Sequence, residues 1–426
     1  MEKNRNSIPE IHSQDSEQLV AALDIGSSKI SLSIGTISTG QFNSLSGLIH
    51  YQTNGVKSGR IVNVEEVARI ISSLLSDARS ILGYEVDEVY VGMKDLDFQL
   101  HSNNAMVAVE EENGIISEFT LGKLNSAARA IPLGANETIV HVIPMKYLVD
   151  GHETPNPLGM KGVRMDVEAR VLTVPASVID DVIRSCSLAG ATVSGIIFSP
   201  YATHLSVALQ RHLLLGCAII DLGAGSTDIT VYRNGHLEYC NVVSAGGNEI
   251  TARLAREFKC IPSEAEAIKQ QFGYAAPFLV ENGHEIIPQL SSLGVGDVSW
   301  HDVAEVIEDG VRNILVQLLE PLHGAGCELV PPMTVFITGG GAKLNGIRDY
   351  LESIMEMKVE TGIPTIPVGM FDGARAPQFA SSVGTLMHCA LGSDFQPFGS
   401  FSGAEKPSNK GSFFNKVASL FESFFD

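Results

Sequence analysis

The stretch LVAALDIGSSKISLSIGTIS, residues 19–38, holds an apolar run that closes on Asp24, a glycine-centred turn at Gly26, and a second run in which apolar residues alternate. Apolar β-branched residues broken by a glycine turn and then alternating read as strand, tight turn, strand. The pattern returns in GCAIIDLGAGSTDITVYRNGHLEY, residues 216–239, with Asp221 in the place of Asp24, 197 positions later, and RNG as the next hairpin turn. Two strands that each end in Asp-x-Gly and fold back on themselves predict an internally duplicated α/β fold with a site between its halves.

The segments between the copies suit that plan. NVEEVARIISSLLSDARSIL, residues 63–82, sets Val64, Val67, Ile70, Ile71, Leu74 and Leu75 at helical spacing, and the strand EVYVGM follows. Residues 98–176 read as a module of their own: a helix in TLGKLNSAARAI, then strands ETIVHVIPMKYLV and VRMDVEARVLTV separated by the loop DGHETPNPLGMKG. GGNEITARLAREFKCIPSEAEAIKQQFG predicts two helices with a break marked by Pro262, and TVFIT runs into a glycine turn that is expected to open a helix.

At 426 residues and 44% hydrophobic content, the chain can bury one large core or two medium ones. A formal net charge of -20 argues against a general nucleic-acid binder, which needs clustered Lys and Arg. The six cysteines are scattered with no CxxC pair, so reduced thiols are expected. The polar residues 1–18 lack the apolar core of a signal peptide, and the longest apolar run, Leu213 to Ile220, is far too short to span a bilayer.

A glycine turn after a strand lets backbone N–H groups approach a phosphate, because no Cβ intervenes. Gly26, Ser27, Ser28 and Lys29 offer this in the first turn, and Gly223, Ala224, Gly225, Ser226 and Thr227 in the second. Each turn alone is weak evidence, because a glycine hairpin is more often just a tight turn. Together they set Asp24 and Asp221 on a common cleft, where two carboxylates suit a hydrated Mg2+ on nucleotide phosphates. A third turn, Gly339, Gly340, Gly341, Ala342 and Lys343, offers unhindered backbone to an adenine or α-phosphate, and is no Walker loop because GxxxxGK[ST] does not occur. Glu266 and Lys269, three apart in EAIK, share a helix face and suit either ribose hydroxyls or a surface ion pair.

These elements, in this order, resemble the actin/Hsp70/hexokinase superfamily, with phosphate-1 at Asp24 to Lys29, phosphate-2 at Asp221 to Thr227 and the adenosine motif at Thr338 to Ala342. Within it the chain resembles the bacterial cell-division family FtsA. Residues 137–174 look like that family's inserted subdomain 1C, and GGNEITARLAREF with AEAIK looks like its nucleotide-side helices, which adds Gly247 and Asn248 to the ATP contacts.

The resemblance spans residues 19–394 and the C-terminal segment. It implies a duplicated actin-like (ribonuclease H-like) α/β fold with an SHS2-like 1C in place of actin 1B. Subdomain 1A would take residues 19–97, 177–211 and 374–394, 1C 98–176, 2A 212–252 and 311–373, and 2B 253–310. It further implies ATP and Mg2+ in the cleft with the metal at Asp24 and Asp221, self-association into filaments, the FtsZ C-terminal tail on 2B, and later division proteins on 1C. The implied location is the cytoplasmic face of the cell membrane at the division site. The alternatives are a pilus-type actin-like adaptor and a small-molecule kinase of the same superfamily.

Two departures stand out. Brisk ATPases of the superfamily usually carry a Glu in Glu-Pro-x-Ala that orients the attacking water. Here FSPYATHL has Ser199 instead, a poor base, so no catalytic residue is assigned and slow hydrolysis is expected. FtsA relatives often have Arg after the EVIE core of a 2B helix, whereas this chain has Asp309 and Gly310, with Arg312 nearby.

The chain ends in GSFFNKVASLFESFFD, residues 411–426, after a Gly/Ser/Pro-rich linker at 395–410. At about 100° per residue Phe413, Phe414, Val417, Leu420, Phe421, Phe424 and Phe425 fall inside an arc of about 140°. A lipid surface is the expected cover for this face, with a partner's groove as the alternative, and the lipid would be gripped weakly by each molecule and firmly by a filament that presents many copies.

Overall fold

The structure, a computed structural model, describes residues 17–38, 41–281, 283–288, 290, 297–366 and 372–390. The aromatic segment 411–426, its linker and residues 1–16 lie outside the described residues.

In chain order the first half builds β1 (Gln18–Ile25), β2 (Lys29–Ser38), β3 (Gln41–Gln52), a hairpin of β4 (Val56–Lys57) and β5 (Arg60–Ile61), helix α1 (Val64–Asp77) and β6 (Glu88–Met93). An inserted module follows, with β7 (Gln99–Ala108), α2 (Glu118–Ala128), β8 (Glu137–Val149), β9 (His152–Thr154) and β10 (Arg164–Pro175). Helix α3 (Ala176–Ala189) and β11 (Thr192–Phe198) complete this half, and short helices α4 (Ser199–Ala202), α5 (His204–Val207) and α6 (Gln210–Leu215) lead out of it. The second half has β12 (Cys217–Leu222), β13 (Thr227–Arg233), β14 (His236–Val243), α7 (Gly247–Glu257), α8 (Pro262–Phe272), α9 (Trp300–Gly324), β15 (Thr334–Thr338), α10 (Ile347–Met355) and β16 (Lys358–Thr361). Helix α11 (Ala380–Ala390) then returns to the first half, where it packs on β1.

The duplication is one of topology and register. The two five-stranded sheets run β3-β2-β1-β6-β11 and β14-β13-β12-β15-β16. In both, the first three strands are antiparallel neighbours and the last two join in parallel. Asp24 pairs with Ser31 and Gly92, and Asp221 with Asp228 and Thr338, so the two aspartates hold equivalent places.

Period-two alternation sends the side chains of each strand to opposite faces. In β1 the face with Leu23 and Ile25 meets Val67, Ile71 and Leu74 of α1, while Val20 and Ala22 face Val383 and Leu386 of α11. In β12, Ile220 and Leu222 meet α7, α9 and α10, while Ile219 lies with Phe336 and Tyr232 on the opposite face. Full burial of one such aliphatic side chain stabilises by about 1.5–3 kcal/mol. Asp24 and Asp221 follow the same parity, so both stand on the faces that meet between the halves.

The regular α-helix read in residues 63–82 ends at Asp77 and continues as one wider π turn, Ala78–Leu82, closed by Gly83. Asn63 caps its start, its side chain accepting from the Glu66 N–H. The inserted module forms a separate sheet, β7-β10-β8-β9, with α2 laid across it through Leu121, Leu124 and Ala128. It occupies the connection between β6 and α3, where the second half has only a glycine turn between β15 and α10. That turn does not open a helix directly, as the sequence suggests. A 3-10 turn, Gly340–Lys343, intervenes and α10 starts at Ile347.

Candidate functional site

Each half contributes a turn that follows a buried strand. In the first, the Gly26 N–H donates to the Lys29 carbonyl at 3.0 Å, and in the second the Gly223 N–H donates to the Ser226 carbonyl at 3.1 Å. The turns meet across the cleft. A Cβ on Gly225 would stand 2.7 Å from Ser27 Oγ and 3.1 Å from the Ser58 nitrogen, so only glycine permits this approach. Ser58 and Ser244 share a 2.8 Å hydrogen bond beside it, and Gly59 N donates to Ser27 Oγ at 3.1 Å.

Asp24 is held from three sides. Ser381 and Ser382 of α11 donate to its Oδ2 at 2.5 and 3.0 Å, and Ser199 of α4 donates to Oδ1 at 3.2 Å. The serine pair could be read in FASSVGTLM as two polar residues at the head of an otherwise apolar helix, but nothing local says what they bind.

Asp221 is buried and is packed by the third glycine turn. Gly339 has φ of 82° and a Cβ there would fall on Asp221 Oδ1, so this position requires glycine for both its backbone and its contact. The turn is anchored by Gly339 N and Thr338 Oγ1, which donate to the Pro377 carbonyl at 3.1 and 2.9 Å. Lys29 completes this wall. Its Nζ donates to the Gln378 carbonyl at 2.7 Å and lies 4.0 Å over the Phe379 ring. Burial lowers its pKa to about 8 against the pull of Asp24 and Asp221, with Lys343 adding a smaller repulsion.

Helix α7 begins on the second turn. Gly247 N and Asn248 N donate to the Gly223 and Ala224 carbonyls at 2.9 and 2.8 Å, so these two N–H groups tie the helix to the turn. Lys269 reaches back to the same place, donating to the Gly247 carbonyl, Thr251 Oγ1 and Glu266 Oε2 at 2.9, 2.8 and 2.6 Å. The Glu266–Lys269 ion pair therefore exists and is part of the cleft wall, with the lysine side chain only 14% exposed.

Beside the Ser381–Ser382 pair, two more residues went unread in the sequence. Lys94, directly after β6, donates to Asp228 Oδ2 of β13 at 2.8 Å, and the two side chains are 13% and 3% exposed. Burial disfavours the charge on Lys94, but Asp228 and then Asp221 outweigh it and hold its pKa above the ordinary lysine range. The available signals were a lone Asp in the apolar strand TDITV and a Lys ending the buried strand EVYVGM; neither names its partner, 134 positions away.

On α9, Gly310 is buried because the helix crosses α7 there: a Cβ would stand 2.9 Å from Ile250 Cγ1. Arg312 is exposed and paired with Glu308 at 2.8 Å and Asp309 at 3.7 Å on its own helix.

The donor set fits a metal–nucleotide ligand. Glycine-lined turns face one another, and a carboxylate stands at the end of each central strand, the oxygen-only chemistry that a hydrated divalent cation prefers. All five cleft elements read from the sequence come together here, with Gly26–Lys29, Gly223–Thr227, Gly247–Asn248, Glu266–Lys269 and Gly339–Lys343 arranged around Asp24 and Asp221.

Comparison with known proteins gives matching findings. The family model described as "Cell division protein FtsA" matches residues 218–384, and that described as "SHS2 domain inserted in FTSA" matches residues 97–173. Among relatives, the cell division protein FtsA of Bacillus subtilis is 28% identical over 376 residues, covering 87% of this chain and 83% of its own length. The cell division protein FtsA of Pseudomonas aeruginosa is 26% identical over 378 residues, covering 88% and 90%. Among solved structures, the PilM–PilN type IV pilus biogenesis complex superposes with a TM-score of 0.62 at 18% identity over 87% of this chain and 98% of that one. The ethanolamine utilization protein EutJ of Carboxydothermus hydrogenoformans gives 0.51 at 13% identity, covering 87% and 90%. These likenesses establish the actin-like fold.

Proposed function

The chain belongs to the FtsA family of cell division proteins, and from that premise we propose that it is an ATP-binding, filament-forming adaptor that tethers the FtsZ ring to the cytoplasmic face of the membrane. The observation that carries the nucleotide part is the meeting of Ser27 with Gly225, which brings two Asp-x-Gly turns face to face. On this reading the turns bind the phosphates, and Glu266 and Lys269 border the ribose. Asp24 and Asp221 would hold a hydrated Mg2+ ion, which would supply charge neutralisation to the phosphates.

Ser381, Ser382 and Ser199 fix the Asp24 carboxylate in place, so its oxygens are aimed before ligand arrives. With a serine where a base would stand, turnover is slow and ATP serves mainly to join the halves. Membrane attachment is assigned to residues 411–426 through their Phe-rich face, in keeping with the finding that no described helix is long and apolar enough to cross a membrane. Residues on α9 around Arg312 are assigned to the acidic FtsZ tail, and the inserted module to later division proteins. The likeness to the pilus complex supports only the shared fold, at 18% identity.

The test is sedimentation on liposomes with and without ATP, and with and without FtsZ. ATP-dependent pelleting that carries FtsZ down is the expected result. Pelleting unaffected by ATP, or by removal of residues 411–426, would overturn the reading.

A further inference from the structure

We propose that Lys94 is a positioning residue for the terminal phosphates, a built-in cation of the cleft floor that makes nucleotide binding by this chain only weakly dependent on a divalent metal. The inference rests on the nucleotide reading above. Its starting point is the register shared by the two sheets. Gly92 and Thr338 are equivalent neighbours of Asp24 and Asp221, so Lys94, two residues past Gly92, corresponds to Gly340, two residues past Thr338. One half places a bare glycine turn at this point and the other places an ammonium group.

The ammonium stands where phosphate is expected. A Cβ on Gly223, the first glycine of the second turn, would lie 3.7 Å from Lys94 Nζ. The same group feels the charges of Asp228, Asp221 and Asp24. Among the described residues only Asp228 accepts a hydrogen bond from it, at 2.8 Å, which leaves two of its three donors for a ligand. Three carboxylates, Asp24, Asp221 and Asp228, would otherwise make the floor strongly repulsive to a polyphosphate, and Lys29 spends one of its donors on the Gln378 carbonyl at 2.7 Å. Because Lys94 belongs to the first half and Asp228 to the second, a phosphate bound to Lys94 also engages both halves at once.

The test is titration of the full chain with a fluorescent ATP analogue in Mg2+ and in EDTA. Four forms are compared: wild type, Lys94→Met, Lys94→Arg and the double variant Lys94→Met/Asp228→Asn, which removes both charges and so leaves no buried carboxylate unpaired. A charge-assisted phosphate contact of this kind corresponds to about ten- to a hundredfold in affinity. Wild type and Lys94→Arg are expected to lose less than about tenfold on moving to EDTA, whereas both Met variants lose about a hundredfold or more. An equal loss in all four forms would overturn the proposal, as would a double variant that regains wild-type binding, since Lys94 would then serve only to neutralise Asp228. No binding by folded wild type even in Mg2+ has a different signature: it removes the nucleotide reading itself, and the proposal with it.

Discussion

Ser199 Oγ donates a 3.2 Å hydrogen bond to Asp24 Oδ1, joining the end of β11 to the end of β1. The serine that replaces the expected base is thus spent on holding a carboxylate. Ser199→Ala is expected to leave phosphate release slow, far below the roughly 1–100 per second of kinases, and to lower stability by about 1 kcal/mol. Phosphate release and denaturant unfolding measure the two. A wild-type turnover in the kinase range would refute the assignment of Ser199 to positioning.

The Ser27–Gly225 contact predicts a compensating pair. Gly225→Ala drives a methyl to 2.7 Å from Ser27 Oγ and should weaken nucleotide binding at least about tenfold by wedging the turns apart. Adding Ser27→Gly removes the obstructing side chain and should restore part of that loss. Isothermal titration of the single and double variants decides it, and additive losses would mean that the two turns do not press on one another.

On α9 the two departures from the family pattern should behave differently. Gly310→Arg must push Ile250 and α7 away, and should destabilise by about 1–3 kcal/mol. Asp309→Arg removes a carboxylate 3.7 Å from Arg312, and should tighten an acidic FtsZ-tail peptide while leaving the melting temperature within a degree or two. Peptide anisotropy beside thermal melts separates the cases.

Three histidines, His141 and His204 buried and His388 half-buried, join the inserted module to both halves. The ring centroids of His141 and His388 lie 5.3 Å apart, those of His388 and Tyr201 5.8 Å, and His204 packs on Tyr232 at 4.7 Å. Burial lowers His204 and His388 from 6.5 to about 4 and His141 well below its ordinary value. A lowered histidine takes up its proton more readily in the unfolded chain. The stability it contributes is therefore complete above pH 6.5 and is lost as pH falls toward 4, at about 1.4 kcal/mol per pH unit per group. Urea midpoints at several pH values should show this slope, and His388→Phe, which keeps the ring packing, should make it shallower.

The C-terminal segment carries no net positive charge, with the one Lys416 set against both Glu422 and Asp426. Replacing Phe421 and Phe424 with Glu should release the protein from liposomes, whereas Lys416→Ala should change flotation little. The opposite ranking would assign attachment to anionic headgroups.

Much of this was legible in the sequence because it is local. The duplicated strand, turn and strand at residues 19–38 and 216–239 follows from alternation and glycine, and so predicts both sheets and the equivalence of Asp24 with Asp221. The helix of residues 63–82 was legible for the same reason, save its last turn, since apolar spacing does not distinguish a π turn from an α turn.

What only the tertiary structure decided is which distant residues meet. Lys94 and Asp228, and Ser27 and Gly225, are set by the packing of one half on the other, and Asp24 meets the Ser381–Ser382 pair because α11 returns to pack on β1. Gly310 shows the same limit: as a sequence letter it is a missing arginine, and in the fold it is the space that lets α9 cross α7. Backbone propensity and periodicity act over a few residues, so they fix strands, turns and faces. Charge compensation and close packing act through space, and they exist only once the halves have closed.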